Sequence, residues 1–490
     1  MAFTDRLANR GSISTGFDLE NAIFLDAAIP DEMHFTTDND SSDHDKGTFS
    51  FWWKRGARGH ISPMQINEFG GVYAAGMYWQ SGTGNLADRL YMSHKDNTSH
   101  WTSWMRQFRD HNAWYHFCIT VDTTEGTADN RIKLCINGGD PEGFNTTGSY
   151  NSPPGQGDSH FWFESGREMR VGGVSSGDCY YADYHYVDGQ ALQPESFGEI
   201  DEDSGIWKPK EYTGTYGNNG FHLEFKETGT SANSSGIGAD TSGNGHHMTL
   251  VNVDATNRVG DTPTNNFCTW DSNETLFSSS SDDSPVIKGG GTISDRGSGT
   301  GWVLQKASMA MSQGKWYMEH EVSVNNTQTF YGATPVETFE DYDYVNNYHG
   351  AYTSAYGNTG VGYYASGESV YHWNESNVNT STASTATDAG DIVSVALDLD
   401  NNKIHFAVNG SWTNSSDPAN NTNGFNILDV PHFFSMTTNN PNQTHKSNFG
   451  GYCPYTISSA ASDADGYGNF EYAPPSGFYA LCTKNLAEYG

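Results

Sequence analysis

Glu319 and Glu321, in the stretch "WYMEHEVSV", stand two residues apart in an alternating run. That spacing puts both carboxylates on one face of a strand. A retaining glycosidase uses two carboxyls about 5–5.5 Å apart, and a pair at this spacing can approach that distance. Other candidates are weaker. In "SGNGHHM", Gly243 and Gly245 have no strand before them and no helix after them, so a phosphate-binding loop is not supported. His246 and His247 are adjacent, and on extended chain they point to opposite faces, which makes a shared metal awkward; the stretch reads as a turn. The acidic runs "DADGYGN" (463–469) and "DLDNN" (398–402) offer oxygen ligands without the twelve-residue spacing and terminal Glu of a calcium loop. No serine, histidine or cysteine stands in a recognisable nucleophile context such as GxSxG. No catalytic residue is therefore assigned.

A different chemistry is suggested by "FEDYDYVNNYHGAYTSAYGNTGVGYY" (339–364). Tyr342, Tyr344, Tyr348, Tyr352, Tyr356, Tyr363 and Tyr364 lie there among Asn, Gly and Ser. Tyrosine mixed with small polar residues is the composition of recognition loops, combining rigid amphipathic contacts with adaptable hydrogen bonds. Sugars suit such aromatic platforms. Tyr342, Tyr344, Tyr348, Tyr352, Tyr356 and, on the following run, Trp373 are the candidate ligand-binding residues. The competing reading is a decorated hairpin whose tyrosines cover a sheet edge or a subunit contact.

These residues must be positioned by short strands. The chain has 490 residues, which suggests two to four domains. Glycine numbers 55, aromatics make up 13% and charged residues only 17%, a balance that favours strands and turns over helices. The 13 Trp, 27 Tyr and 26 Phe supply enough apolar surface to exclude a disordered chain. A net charge of -34 opposes binding to nucleic acid or to an anionic membrane. The N-terminal stretch has no apolar signal-peptide core, and no run approaches the roughly 18 apolar residues of a membrane span. The six cysteines have no CxxC or Cys/His metal spacing. Cys118 and Cys135 lie symmetrically about a turn at 126–127 and are expected to face each other across a hairpin, either as a disulfide or, the favoured reading, as two buried thiols, which suits a reducing cytoplasm.

Period-2 alternation is clearest in "GTFSFWWKRG" (47–56), where Phe49, Phe51 and Trp53 share a face. Further strands are expected at 22–28, 70–79, 89–95, 167–174 and 179–192, with one short helical turn within 192–201. A Gly/Ser/Asn-rich arm spans about 201–265 and contains a strand at 221–227 expected to return to the first sheet. The pattern then restarts, with strands at 301–311, 314–324, 360–367, 369–374, 432–438 and 449–456. Two hairpins match closely: "WYHFCITVDTTEGTADNRIKLCING" and "DIVSVALDLDNNKIHFAVNGSW" each end on Asn-Gly. In the second, Val393, Val395, Leu397, Ile404, Phe406 and Val408 are expected to point inward together. The whole reads as an all-β chain of two antiparallel β-sandwich, jelly-roll-like domains joined by a turn-rich arm, at 1–260 and 261–490.

The first hairpin, with "GTFSFWWKRG" and "ADYHYVDGQAL", resembles a laminin-G/concanavalin-like sandwich over roughly 18–230. "GKWYMEHEVSV", the second hairpin, "SNFGG" and "FEYAPPSGFYAL" resemble a SPRY-type sandwich over roughly 300–480. The arrangement, with phrases such as "DGQALQPESFGE", "DTPTNNF" and "PPSGFYALCTKNL", is similar to virion proteins of tailed phages, particularly of marine hosts. The resemblance implies a non-enzymatic structural protein at the phage surface, a fibre or adhesin module binding host carbohydrate or receptor. Capsid decoration is the alternative, and a polysaccharide depolymerase on a concanavalin-like fold is the next. A cellular adhesin of an environmental bacterium is the last. It implies other virion proteins as partners, self-association such as a trimer, and assembly in the host cytoplasm. The SPRY-like pattern itself carries an outward acidic residue on the Glu319 strand and binds partners through loops at one end. Laminin-G-like domains sometimes take calcium at the rim, where Asp122 or Asp178 would serve; no other cofactor is expected.

Overall fold

The computed structural model describes residues 16–26, 29, 31–37, 40–57, 61–68, 72–79, 86–93, 101–146, 151–158, 165–172, 178–202, 204–277, 285–299, 301–323, 328–341, 360–365, 369–374, 377–382 and 387–490. The chain is all-β, and it divides into two compact units between Asn265 and Asn266.

In the first unit, one seven-stranded sheet runs, in spatial order, Arg258–Val259, Ala22–Leu25, Cys179–Asp188, Lys46–Arg55, Trp114–Asp122 and Ile132–Ile136. Phe221–Leu223 also pairs antiparallel with Cys179–Asp188. The second sheet runs Thr249–Val251, Glu32–Thr36, Glu168–Gly172, Ile61–Glu68, Val72–Trp79, Leu90–Ser93 and Trp101–Ser103. Alternation explains what lies between them. Phe49, Phe51 and Trp53 enter a common core with Phe117, Ile119 and Val121. Trp53 stacks on Trp79 from the opposite sheet, ring centroids 4.1 Å apart. The outer face of the first sheet is covered by the chain that follows. Phe197, Tyr212 and Tyr216 pack there with Cys118 and Cys135, two free thiols that face each other in register across the first hairpin. The expected helical turn is a single 3-10 turn, Pro194–Ser196.

The second unit repeats the plan. One sheet runs Trp270–Phe277, Val303–Met311, His432–Thr438, Thr329–Pro335, Val361–Tyr364, Ser369–Asn374 and Asn377–Thr382. The other runs Val286–Lys288, Ile293–Asp295, Thr444–Asn448, Lys315–Glu321, Ile392–Asp398, Lys403–Val408 and Ser411–Trp412, with Phe425–Asn426 and Tyr479–Ala480 attached. Val393, Val395, Leu397, Ile404, Phe406 and Val408 all lie in its core, as the alternation predicts.

One local expectation is corrected, and one strand was not expected. The strand expected at 449–456 lies earlier, at Thr444–Asn448, and the chain leaves the sheet at Gly450, whose φ of +102° breaks the extended run. Thr329–Pro335 is a central strand that its Gly and Pro disguise. Gly332 is required there, because a Cβ would lie 1.9 Å from the Val361 carbonyl oxygen. No described helix is long and apolar enough to cross a membrane.

Candidate functional site

The paired carboxylates are the first test of an active site. Glu319 and Glu321 do share a face, turned away from the core residues Trp316 and Met318. Glu319 is nevertheless fully buried beneath the loop that follows Asn448. One of its oxygens accepts from the Tyr317 hydroxyl at 2.9 Å and the backbone N–H of Tyr472 at 2.8 Å. The other accepts from the Glu471 N–H at 2.9 Å and the Tyr455 hydroxyl at 3.1 Å. Burial pushes its pKa above the usual carboxylate range, against the lowering effect of these donors. A raised carboxyl can serve as a general acid, but here both oxygens are taken up by donors within the protein. Glu321 is engaged with Lys446 at 2.7 Å. The pair is therefore a loop anchor beside a half-buried ion pair.

The acidic runs are turns. Asp463 accepts from the N–H of Asp465 and Tyr467 on one oxygen and from Ala480 N–H and Asn485 Nδ2 on the other, at 2.8–3.0 Å. Asp398 caps its hairpin by accepting from Asn401 and meets Lys315 at 2.9 Å. Asp122 accepts from Thr124, and the Asp178 carbonyl accepts from Gly56 and Ala57. The histidine pair is likewise spent locally. His247 Nδ1 accepts from the Asp240 N–H at 3.0 Å, and His246 Nε2 lies 2.9 Å from the Asn218 carbonyl oxygen.

Tyr342, Tyr344, Tyr348, Tyr352 and Tyr356 lie outside the described residues. Trp373 is on the strand Ser369–Asn374, paired with Val378, and its side chain lies outside the described residues. Tyr363 is a core residue, and Tyr364 stacks on Phe330 with centroids 4.7 Å apart.

One cluster that sequence reasoning missed is set by a β-bulge. Along Cys179–Asp188, Ala182 pairs with Trp52 and His185 with Ser50, so Asp183 and Tyr184 together face the single residue Phe51. Asp183 adopts a left-handed backbone, φ 48°. The extra residue keeps Tyr181, Tyr184 and Tyr186 in the core and leaves Asp183 and His185 on the same outer face. Phe221 and Leu223 also face the core, so His222 between them faces out, directly opposite His185. Three ligand-type side chains thus meet. Asp183 Oδ1 is 2.7 Å from His222 Nε2 and 3.1 Å from His185 Nε2. The two imidazoles stack at 4.1 Å. His185 Nδ1 meets the Tyr216 hydroxyl at 2.8 Å, and His222 Nδ1 meets Thr241 Oγ1 at 2.9 Å. Burial alone would raise the Asp183 carboxyl, but the two neighbouring histidines outweigh it and hold it well below the usual range. Burial lowers His185 in turn. Among the described residues this is the group of three or more His, Cys, Asp or Glu whose ligand atoms all lie within 4.8 Å of one another. The "DYH" spacing is visible in the sequence, but its meaning depends on the bulge and on His222 arriving from another strand.

No protein-family model matches the chain, and no curated protein matches it. Solved structures to which it is similar include the SPRY domain of human HERC1, at 17% identity over 36% of this chain and 96% of that one, TM-score 0.27. A native heptameric SAP-like pentraxin from Limulus polyphemus has 17% identity over 36% of this chain and 80% of that one, TM-score 0.26. Mouse laminin alpha1 domains LG4-5 have 9% identity over 86% of this chain and 82% of that one, TM-score 0.26. The all-β sandwich assignment rests on the sheets themselves.

Proposed function

We propose that the chain is a non-enzymatic structural protein of a phage particle, exposed at its surface, whose Tyr-rich stretch at 339–364 binds host carbohydrate or receptor. The observation that carries the non-catalytic part is Glu319: the carboxylate best placed by sequence for glycoside hydrolysis is buried and accepts from four donors within 3.1 Å and from Asn448 Nδ2 at 3.5 Å. The virion part rests on the wording of segments such as "DGQALQPESFGE" and "PPSGFYALCTKNL". Strong acidity, at -34, is compatible with a soluble surface component.

Capsid decoration is the second reading. It is favoured by the two described α-helices being only five and seven residues long, with no heptads or collagen-like repeats to build a fibre shaft. Gold labelling of the assembled particle separates the two. Label at the tail with adsorption of the purified protein to host cells supports the adhesin; many copies around the head with no adsorption leaves decoration. Measurable polysaccharide hydrolysis that Glu319→Gln and Glu321→Gln abolish would overturn the non-enzymatic reading.

A further inference from the structure

We propose that Asp183, His185 and His222 bind one divalent transition-metal ion of the zinc class, holding the strand Phe221–Leu223 to the bulged strand Cys179–Asp188. The donor set is two imidazole nitrogens and one carboxylate oxygen, which suits zinc, cobalt, nickel or copper and not calcium, an ion that takes six or more oxygens. Bonds of about 2.0–2.1 Å in tetrahedral array keep ligand atoms roughly 3.3 Å apart. Asp183 Oδ1 already lies 2.7 and 3.1 Å from the two Nε2 atoms.

The surroundings are arranged for ligation. A metal-binding histidine donates its other N–H to an oxygen, which fixes the tautomer. The Tyr216 hydroxyl and Thr241 Oγ1 stand at the two Nδ1 atoms in that role. His185 supplies the independent sign. Its side chain is 2% exposed, and its Nε2 lies 3.1 Å from the Asp183 carboxylate without the alignment of a good hydrogen bond. In the tautomer whose Nδ1–H is donated to Tyr216, a neutral His185 turns the Nε2 lone pair toward Asp183, the arrangement in which a cation between them is bound by both. His222 donates from Nε2 to Asp183 when no ion is bound. On binding, that proton moves to Nδ1, where Thr241 accepts it, so no net proton is released. The rings lie face to face at 4.1 Å and 11°, so each must tilt about its Cβ–Cγ bond toward Asp183. His222 is 15% exposed at its side chain, so solvent reaches the site and a water is the proposed fourth ligand.

The test uses the full chain, stripped with a chelator and titrated with Zn2+ by calorimetry while thermal unfolding is followed. The expected result is one equivalent bound and, at a hundredfold excess over Kd, a rise in Tm of about 5 °C or more for a unit of this size. Co2+ should give the visible d–d absorption of a low-coordinate nitrogen and oxygen site. His222→Gln and Asp183→Asn should lose the stoichiometric binding and the Tm rise, while His247→Gln, outside the cluster, should keep both. Circular dichroism establishes that each variant is folded. Absence of binding by the folded wild-type chain would overturn the proposal, as would a folded His222→Gln variant that binds as the wild type does.

Discussion

The carboxylate of Glu319 joins a strand to a loop well over a hundred residues later in the chain, through Tyr455, Glu471 and Tyr472. Removing one partner from a buried charged network leaves the others unsatisfied, which costs more than the network contributes when complete. Glu319→Ala should therefore destabilise the second unit by about 2–4 kcal/mol, and Glu319→Gln, which keeps one carbonyl acceptor, by less. Urea unfolding measures both, and an alanine variant as stable as the parent would show that the loop is not held by this residue. Asp183 presents the opposite case, a carboxylate between two imidazoles of which one is poorly aligned with it. Neither role could be read from residue type. The Glu319 pattern looks catalytic until the covering loop is placed, and Asp183 is separated from His222 by 39 positions.

Hairpins were the legible elements, because alternation and turn chemistry are local. In both, the closing Asn and Gly have positive φ, at 50° and 68° for Asn137 and Gly138 and at 47° and 74° for Asn409 and Gly410, the backbone of a type I′ turn. Each Asn also ties its turn back to the start of the hairpin. Asn137 Oδ1 accepts from the His116 N–H at 2.7 Å, and Asn409 Oδ1 from the Ile392 N–H at 2.9 Å. Asn137→Ala and Asn409→Ala should each cost about 1–2 kcal/mol in equilibrium unfolding, from the lost acceptor and the left-handed backbone. At Asn137 the Asp replacement should recover most of it, since Asp tolerates that backbone and can accept; at Asn409 it should not, because Asn409 Nδ2 donates to Asp391 Oδ1 at 2.7 Å and Asp there would set two carboxylates together. Strands were less legible where one residue shifts the pattern. The bulge at Asp183 changes which side chains face out, and "TFYGATP" hides a central strand behind Gly332 and Pro335. The seven-residue helix Thr483–Tyr489 is too short to leave a periodic signature.

At the level of the molecule, acid should act through histidines. In the second unit burial depresses His405, His432 and His445 to about 4. The unfolded chain takes up these protons near the ordinary value of about 6.5, so between pH 6.5 and 4 it carries more protons than the folded one. These three groups therefore withdraw stability as pH falls through that window, against the opposite-signed contribution of Glu319, whose raised carboxyl takes up its proton sooner in the folded chain. Urea midpoints measured from pH 7 to 4.5 should show the decline, and His432→Gln with His445→Gln should flatten it; an unchanged slope in the double variant would assign the acid sensitivity elsewhere. Each unit is also fastened where it begins and ends. Leu19 and Thr264 exchange hydrogen bonds at 3.1 and 2.8 Å, and Phe267 bridges to Cys482 while the Cys268 N–H donates to the Leu481 carbonyl. A unit whose entry and exit segments touch is topologically a cassette. It can be lifted out, duplicated or spliced into a surface loop of another chain without stretching its host, so a lineage can exchange one sandwich while leaving the other's sheets intact.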